Sequence, residues 1–368
     1  MEEKSKNKKH LNFFDLFPPP KFLTRLAVGL HISDDDIRFV EFVKSEHGFA
    51  LGRYGKKVLP VGLITGGVIS NMEEAKKTLR QISKEFGFTF VNATLPEEKV
   101  YLFKTQIPRM EYSAIYEALE FHIEENVPIS LLDAVFDYCV IRDDPLSEHI
   151  DISVIVADRK IVESYLTLIR ESGMEPLSLC VPSEAIIRAA VARESKETIL
   201  VVNMLEDKTF ISIASDGAVQ FTSSLTRGGN VITEAIEKHF SIKSEDAFKM
   251  KSDKDFMKGK KDEQFSSFVL SAFKPLKDEI ARVLVYWNTN KFNTEKQVVR
   301  ILLSGSDMAL PGLDEYVSTS VGVSAKLVNV WENCFGFDAY VPPIPFEASL
   351  DYAVAIGLGF PRVKQDSQ

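Results

Sequence analysis

The sequence has few cysteines and no long apolar segment. Only three cysteines, Cys139, Cys180 and Cys334, occur in 368 residues, and no C-x-x-C pair is present. This pattern excludes a disulfide framework and a cysteine zinc site, and it is typical of a reducing compartment. No run approaches the ~18 apolar residues of a membrane-spanning helix, and the N-terminus lacks the apolar core of a signal peptide. We therefore expect a cytoplasmic protein with no direct membrane span.

Motifs of the common enzyme classes are also missing. H-E-x-x-H, G-x-S-x-G, G-x-x-x-x-G-K-[ST] and G-x-G-x-x-G do not occur. The six histidines show no spacing of three or four residues that would favour a metal site. With 44 basic and 53 acidic residues the net charge is −9, which repels a phosphate backbone, so no nucleic-acid partner is expected.

What the chain does contain is a duplicated strand pattern. Hydrophobic residues make up 45% and charged residues 26% of the sequence, a globular composition in a length that suits two or three domains. Three strands with turns between them are predicted over residues 26–59, and the same pattern returns over residues 198–225. The repeat sets Ser33 opposite Leu205, about half a chain later. Two similar halves that face one another across a cleft are therefore predicted, with the first turn of each half as a wall.

A strand–helix–strand–strand–helix pattern between the two repeats predicts a small α+β subdomain. The fold class is thus α/β, with two lobes and an insertion. The predicted divisions are an N-terminal extension at 1–25, the first half of lobe 1 at 26–97, the insert at 98–177, a return to lobe 1 at 178–197, lobe 2 at 198–345, and a closing helix and tail at 346–368.

Several short segments resemble the PilM family of type IV pilus assembly proteins, which is related to the division protein FtsA. They occur in family order at residues 27–33, 66–69, 221–233, 303–306, 310–313 and 352–359. The resemblance implies an actin-like (ribonuclease H-like, duplicated) fold with an inserted SHS2-type subdomain. It also implies ATP and magnesium in the cleft, and a cytoplasmic location at the inner membrane. The partners implied are the cytoplasmic tail of a PilN-like membrane protein and other proteins of the inner-membrane platform.

The sequence departs from the family at both cleft turns. Where the family has Asp-Ile-Gly, this chain has His31-Ile32-Ser33, and where the family has Asp-x-Gly it has Asn203-Met204-Leu205. In the adenosine pocket the family's acidic residue is replaced by Phe248, and Lys251 is retained. Measured against the family pattern, the candidate nucleotide-binding residues are Ser33, Asp34, Asp35, Thr209, Gly228, Gly229, Asn230, Lys251, Gly305 and Ser306, with Gly312 also retained.

Two interpretations of these candidates stay open. The loss of carboxylate and glycine in both turns favours weak or absent binding of ATP and magnesium and no enzymatic activity. In addition, the three aspartates at 34–36 would repel a triphosphate. Alternatively, Asp34 or Asp35 takes the magnesium, and the Gly228-Gly229 turn cradles phosphate instead of serving only as a tight turn. His31 either titrates near neutral pH or contacts an anion at the cleft, or it is a hydrogen-bonded structural histidine.

We therefore expect a scaffold of the pilus assembly machinery with a degenerate nucleotide site. An actin-fold ATPase of weak activity and an FtsA-like division scaffold are the alternatives. The ATPase would be favoured by carboxylates at positions 31 and 203. The division scaffold would be favoured by an amphipathic C-terminal helix.

Overall fold

The computed structural model describes residues 26–45, 48–192, 195–253, 263–290, 293, 296–335 and 340–361. The predicted N-terminal extension, residues 1–25, lies outside this part of the chain, as do residues 362–368 of the predicted tail. No helix within the described ranges is both long and apolar enough to cross a membrane.

The first lobe starts with the predicted antiparallel strands. The first of these strands, Val28–Ile32, is buried along its whole length, as is typical of a central strand. In chain order the elements are β1 (Val28–Ile32), β2 (Asp36–Ser45), β3 (Gly48–Val58), the hairpin β4 (Ile64–Thr65) and β5 (Val68–Ile69), α1 (Met72–Phe86) and β6 (Phe90–Thr94). Helix α1 begins at Met72 because the Asn71 side chain accepts a hydrogen bond from the Glu74 amide and caps the first turn.

The insert is a three-stranded antiparallel sheet covered by one helix. Its elements are β7 (Val100–Pro108), α2 (Ile115–Asn126), β8 (Ala134–Arg142) and β9 (His149–Asp158), in the sheet order β7-β9-β8. Ile115, Leu119 and Ile123 lie on one face of α2 and are fully buried against the sheet. The insert therefore has its own hydrophobic core.

The chain returns to the first lobe earlier than predicted. The next elements are α3 (Arg159–Glu171), β10 (Glu175–Cys180) and α4 (Pro182–Ala190). Tyr165 and Leu168 of α3 are buried in the same core as Leu79 of α1, and β10 pairs in parallel with β6. The insert sheet thus ends at Asp158, whereas α3 and β10, which the predicted division places in the insert up to residue 177, pack with the first lobe.

The second lobe repeats the sheet topology of the first. Its elements are β11 (Thr198–Met204), β12 (Thr209–Ser215), β13 (Ala218–Leu225), α5 (Asn230–Phe240), α6 (Ser244–Ser252), α7 (Glu263–Ala272), α8 (Lys274–Thr289), β14 (Val298–Ser304), α9 (Leu313–Val321) and β15 (Ala325–Leu327). The strand order β13-β12-β11-β14-β15 matches β3-β2-β1-β6-β10 of the first lobe. In each sheet two antiparallel pairings are followed by two parallel ones, so the predicted duplication is confirmed.

Two helices, α4 and a closing helix near the C-terminal end of the described residues, pack between the lobes and hold them together. After the short α10 (Phe346–Ser349), the closing helix α11 (Ala353–Gly359) is buried along its whole length and packs against α4 and β1. This core includes Val40 from the first sheet and Ile199 from the second. The cleft therefore lies between two sheets that share one hydrophobic base.

Candidate functional site

The cleft is crossed by a lysine that the sequence analysis did not single out. Lys208, in the turn before β12, places its Nζ 2.7 Å from Asp34 and 2.9 Å from Glu98. Asp34 belongs to the turn after β1, and Glu98 immediately precedes the insert. The two predicted turns thus face one another, and an ion pair connects them.

The first turn is closed by its own hydrogen bonds. The Ser33 amide donates to the Asp36 carbonyl at 2.9 Å, and the Ser33 hydroxyl accepts from the amides of Asp35 and Asp36 at 3.3 and 3.1 Å. Backbone N–H groups are what an actin-like turn needs to offer to phosphate. In this turn the described amides of Ser33, Asp35 and Asp36 have internal acceptors.

The Asp34 carboxylate is held by a pair of glycine amides. Gly66 and Gly67 both have positive φ, 55° and 74°, and their N–H groups donate to Asp34 at 2.8 and 3.0 Å. Successive amides in this conformation form an anion-binding nest. Burial would raise the pKa of Asp34, but the hydrogen bonds from Lys208 and from the two glycine amides outweigh it and lower the pKa. Asp34 is therefore a carboxylate paired with a lysine and two backbone amides.

The mouth of the cleft is acidic on both sides. The pKa of Asp35 is raised by burial and then by the charges of Asp207, Asp36, Asp34 and Glu206. Asp207 and Glu206 come from the second turn, so carboxylates of the two lobes lie close enough to repel one another. This field disfavours a polyanion entering between the turns.

The carbonyl groups of the second turn accept hydrogen bonds from backbone amides at the start of α5. The Gly229 amide donates to the Leu205 carbonyl and the Asn230 amide to the Glu206 carbonyl, each at 2.8 Å. The Gly228 amide donates to the Asn230 side chain at 3.2 Å. A Cβ at Gly228 would lie 2.2 Å from the Leu205 carbonyl oxygen. Glycine is thus required there by close packing within the chain.

Lys251 is buried by contacts inside the second lobe. Its side chain is 7% exposed, and its Nζ lies 2.8 Å from Glu206, 2.9 Å from Asp307 and 2.9 Å from the Gly229 carbonyl. Burial raises the pKa of Asp307 despite the opposing charge of Lys251. The retained lysine therefore neutralises two carboxylates of its own lobe.

The remaining candidate residues support the second lobe. The Thr209 hydroxyl donates to the Arg227 carbonyl at 2.7 Å. A Cβ on Gly305 would lie 2.3 Å from the Met204 carbonyl oxygen, and the Ser306 amide donates to Asp351 at 3.0 Å. Gly312 has φ of 82° at the start of α9. These four positions shape the turns around the cleft.

His31 and Asn203 replace the two family carboxylates and are both buried. They are 2% and 6% exposed, and within the described residues neither His31 Nδ1 nor Asn203 Nδ2 has a hydrogen-bond partner. Burial, with the nearby Arg38, lowers the pKa of His31 to about 4. The hypothesis that His31 titrates near neutral pH is therefore wrong, and the alternative of a hydrogen-bonded histidine is not met at Nδ1.

Glu97, like Lys208, was not singled out in the sequence analysis, and its carboxyl group is buried. It is 5% exposed, accepts from the Ser183 amide at the start of α4 at 2.9 Å, and lies 3.5 Å from the Ser212 hydroxyl of the second lobe. Burial raises its pKa to about 7. Glu97 thus contacts both lobes beneath the Lys208 ion pairs.

A cavity of about 610 Å³ lies beside the second turn, between α5 and α6. Phe248, whose ring is half exposed, lies among its lining residues, which are Glu206, Asn230, Thr233, Glu234, Ser244, Glu245, Phe248 and Lys249. Across the described ranges no three His, Cys, Asp or Glu side chains are grouped to hold a metal ion. Between the turns, the carboxylates of Asp34 and Asp307 are ion-paired with Lys208 and Lys251.

Comparison with known proteins gives one family over nearly the whole chain. The family model described as type IV pilus assembly protein PilM matches residues 29–363. Comparison with curated protein sequences gave no match.

Several solved structures have a fold similar to that of this chain. The chain is similar to the structure described as the PilM-PilN type IV pilus biogenesis complex, with a TM-score of 0.74 and 22% identity over 91% of this chain and 98% of that one. It is also similar to ethanolamine utilization protein EutJ from Carboxydothermus hydrogenoformans (TM-score 0.55, 13% identity, 92% and 90% covered). A third is MreB5 of Spiroplasma citri bound to ADP (TM-score 0.53, 14% identity, 91% and 95% covered). These similarities confirm the predicted actin-like fold.

Proposed function

The chain belongs to the PilM family of type IV pilus assembly proteins, and from this premise we propose that it is a scaffold that grips the cytoplasmic tail of a PilN-like membrane protein. In this role it lies in the cytoplasm at the inner membrane and connects that protein with other components of the platform. The observation that carries the proposal is the full-length similarity to a PilM-PilN complex, which covers 98% of that chain.

The groove between the first lobe and the insert is the proposed site of the tail. β8 is an edge strand of the insert and β10 an edge strand of the first lobe, and α3 packs against both. Glu184 of α4 lies near enough to Cys139 of β8 to raise the pKa of that thiol, after burial as the main cause. Edge strands accept an extended peptide through backbone hydrogen bonds and alternate side-chain pockets.

Nucleotide is not required in this proposal. The supporting observations are the internal acceptors of the Gly229 and Asn230 amides, the pairing of Asp34 with Lys208, and the repulsion that raises the pKa of Asp35. Each removes a donor or adds a negative charge where phosphate oxygens would lie. The nucleotide site is thus proposed to be degenerate, and the protein to have no enzymatic activity.

ATP binding is the second candidate function, and the cavity between α5 and α6 favours it. A ligand base could stack on Phe248, whose side chain is 50% exposed. The family's adenosine pocket falls on the same residues. This candidate predicts nucleotide binding that depends little on magnesium.

Two isothermal titrations test both candidates: one with a synthetic peptide that copies the PilN-like tail, with and without Mg-ATP, and one with ATP, with and without magnesium. Binding of ATP that magnesium leaves unchanged would favour the second candidate. The scaffold predicts binding of the peptide in the absence of nucleotide, with an affinity that Mg-ATP leaves unchanged. Micromolar, magnesium-dependent binding of ATP would contradict the degenerate site. Failure of the peptide to bind under both conditions would contradict the scaffold.

A pair of leucine variants locates the groove. Leu177 on β10 is 45% exposed, so Leu177→Asp should leave the fold intact. If the tail packs on this edge, the substitution should weaken the binding affinity for the peptide about tenfold. Leu146, in the turn between β8 and β9, is 95% exposed, and Leu146→Asp is the matched control with unchanged affinity. Equal affinities for the two variants would place the tail elsewhere.

A further inference from the structure

Three parts of the molecule meet at one side chain. Lys208 comes from the second lobe, Asp34 from the first turn of the first lobe, and Glu98 from the segment that leads into β7 of the insert. The exposed fractions of the three side chains are 15%, 14% and 22%. Partly buried ion pairs of this kind are screened less by salt than surface pairs.

The contacts of Lys208 continue from the cleft to the far side of the first lobe. Asp34 accepts from the amides of Gly66 and Gly67, and the Gly67 carbonyl accepts from the Tyr165 hydroxyl at 3.2 Å. Tyr165 is 1% exposed and belongs to α3. That helix packs against β8 and β10, the two edges of the proposed groove.

The surrounding geometry makes this path stiff. A Cβ on Gly67 would lie 2.4 Å from the Pro96 ring, so the β4–β5 hairpin rests directly on the segment that carries Glu97 and Glu98. The Glu97 carboxyl group in turn accepts a hydrogen bond from the Ser183 amide at the start of α4. A displacement of the second lobe that moves Lys208 therefore acts on both the hairpin and the entry to the insert.

We propose that Lys208 is an ionic junction that couples the cleft to the groove between the first lobe and the insert, so that the lobe arrangement controls access of the partner tail. The groove part of this inference rests on the proposed function. The junction itself rests on the contacts of Asp34, Glu98, Gly67 and Tyr165.

The test compares Lys208→Met with two controls in the full chain. Lys208→Arg keeps the charge, and Lys326→Met removes an exposed lysine on β15, at the edge of the second sheet. Hydrogen–deuterium exchange without peptide should be about three- to tenfold faster in Lys208→Met at Gly66, Gly67 and along α3, because the ion pair no longer holds Asp34. Both controls should exchange like the wild type.

The second measurement is the affinity of the tail peptide. Lys208→Met should change it by at least about threefold, the size of a weak coupling between sites, and Tyr165→Phe should do the same without changing exchange at Gly66. Unchanged exchange in Lys208→Met would overturn the junction. Faster exchange with unchanged affinity would overturn the coupling.

The two failures are distinguishable. If the wild-type chain does not bind the peptide, the proposed function fails, and the junction is then decided by exchange along α3 alone. If the wild type binds the peptide but Lys208→Met behaves like Lys326→Met in both measurements, the proposed function stands and the junction is rejected.

Discussion

The burial of Glu97 makes the stability of the protein depend on pH. The pKa of Glu97 is raised from 4.5 to about 7 by burial. The folded state therefore holds this proton more tightly than the unfolded state does. The stability contributed by protonated Glu97 is complete below the unfolded pKa and is lost as the pH rises through the folded pKa.

Glu97→Gln should consequently flatten the pH dependence of stability. The amide oxygen can still accept from the Ser183 amide, and no charge is buried at high pH. At pH 8 the free energy of unfolding should exceed that of the wild type by on the order of 1–3 kcal/mol, and the difference should shrink towards pH 4.5. Denaturant unfolding between pH 4.5 and 8 checks this. Parallel curves for the two proteins would contradict it.

The candidate site was partly predictable from the residues. The pairing of the two turns follows from the repeat, which places Asp34 and its neighbours opposite the turn that ends at Lys208. A lysine that faces three aspartates is a signal for an ion pair, and it was available in the sequence. The burial of Glu97 was not predictable, because it depends on how α4 and β12 pack around it.

At the scale of elements, the helices α4 and α11 cross at a glycine. A Cβ on Gly357 would lie 1.8 Å from the Ala185 carbonyl oxygen. In an isolated helix Gly→Ala stabilises by about 1 kcal/mol, but here the added methyl group must push two backbones apart. The packing effect should dominate because the clash is with backbone atoms.

Gly357→Ala should therefore destabilise the protein by about 1–3 kcal/mol. The matched control is Gly312→Asn, at a left-handed position with φ of 82° and no atom within 4 Å of the new Cβ; asparagine tolerates this conformation. Thermal unfolding of both variants gives the comparison. A more stable Gly357→Ala would mean that helix propensity outweighs the contact.

The insert offers a second test at this scale. Leu119 is fully buried in a core that belongs to the insert, so Leu119→Ala should cost about 2–5 kcal/mol and act locally. Hydrogen exchange should accelerate in β7, β8 and β9 and stay unchanged in β1. Leu132→Ala, at a residue 85% exposed, is the control. Faster exchange in β1 would contradict an independent insert.

Elements with local patterns were predicted, and elements defined by their neighbours were missed. In the antiparallel strands β1 to β3 and β11 to β13, apolar residues either alternate with polar ones or follow one another, and clear turns separate the strands. Strand β6 has five residues between two parallel neighbours, and five residues carry too little periodicity to be distinguished from a loop. The helix α3 was predicted but assigned to the insert, because amphipathicity does not say which core a helix joins.

At the scale of the whole molecule, the base of the cleft is one core shared by both lobes. Ile199 and Ile301 are both fully buried, on neighbouring strands of the second sheet. Ile199 faces the shared core with Val40, whereas Ile301 faces the core between the sheet and the second-lobe helices. The two isoleucines thus test whether stability is communicated between lobes.

Ile199→Ala should loosen both lobes, and Ile301→Ala only the second. Each substitution should cost about 2–5 kcal/mol, because each leaves a cavity in a fully buried site. In Ile199→Ala, hydrogen exchange should therefore rise in β1 and β2 as well as in β11. In Ile301→Ala it should rise in β11 and β14 while β1 keeps its wild-type protection. Unchanged exchange in β1 of Ile199→Ala would mean that the lobes are stabilised separately. The cleft ion pairs, and not the shared core, would then be what keeps the lobes together.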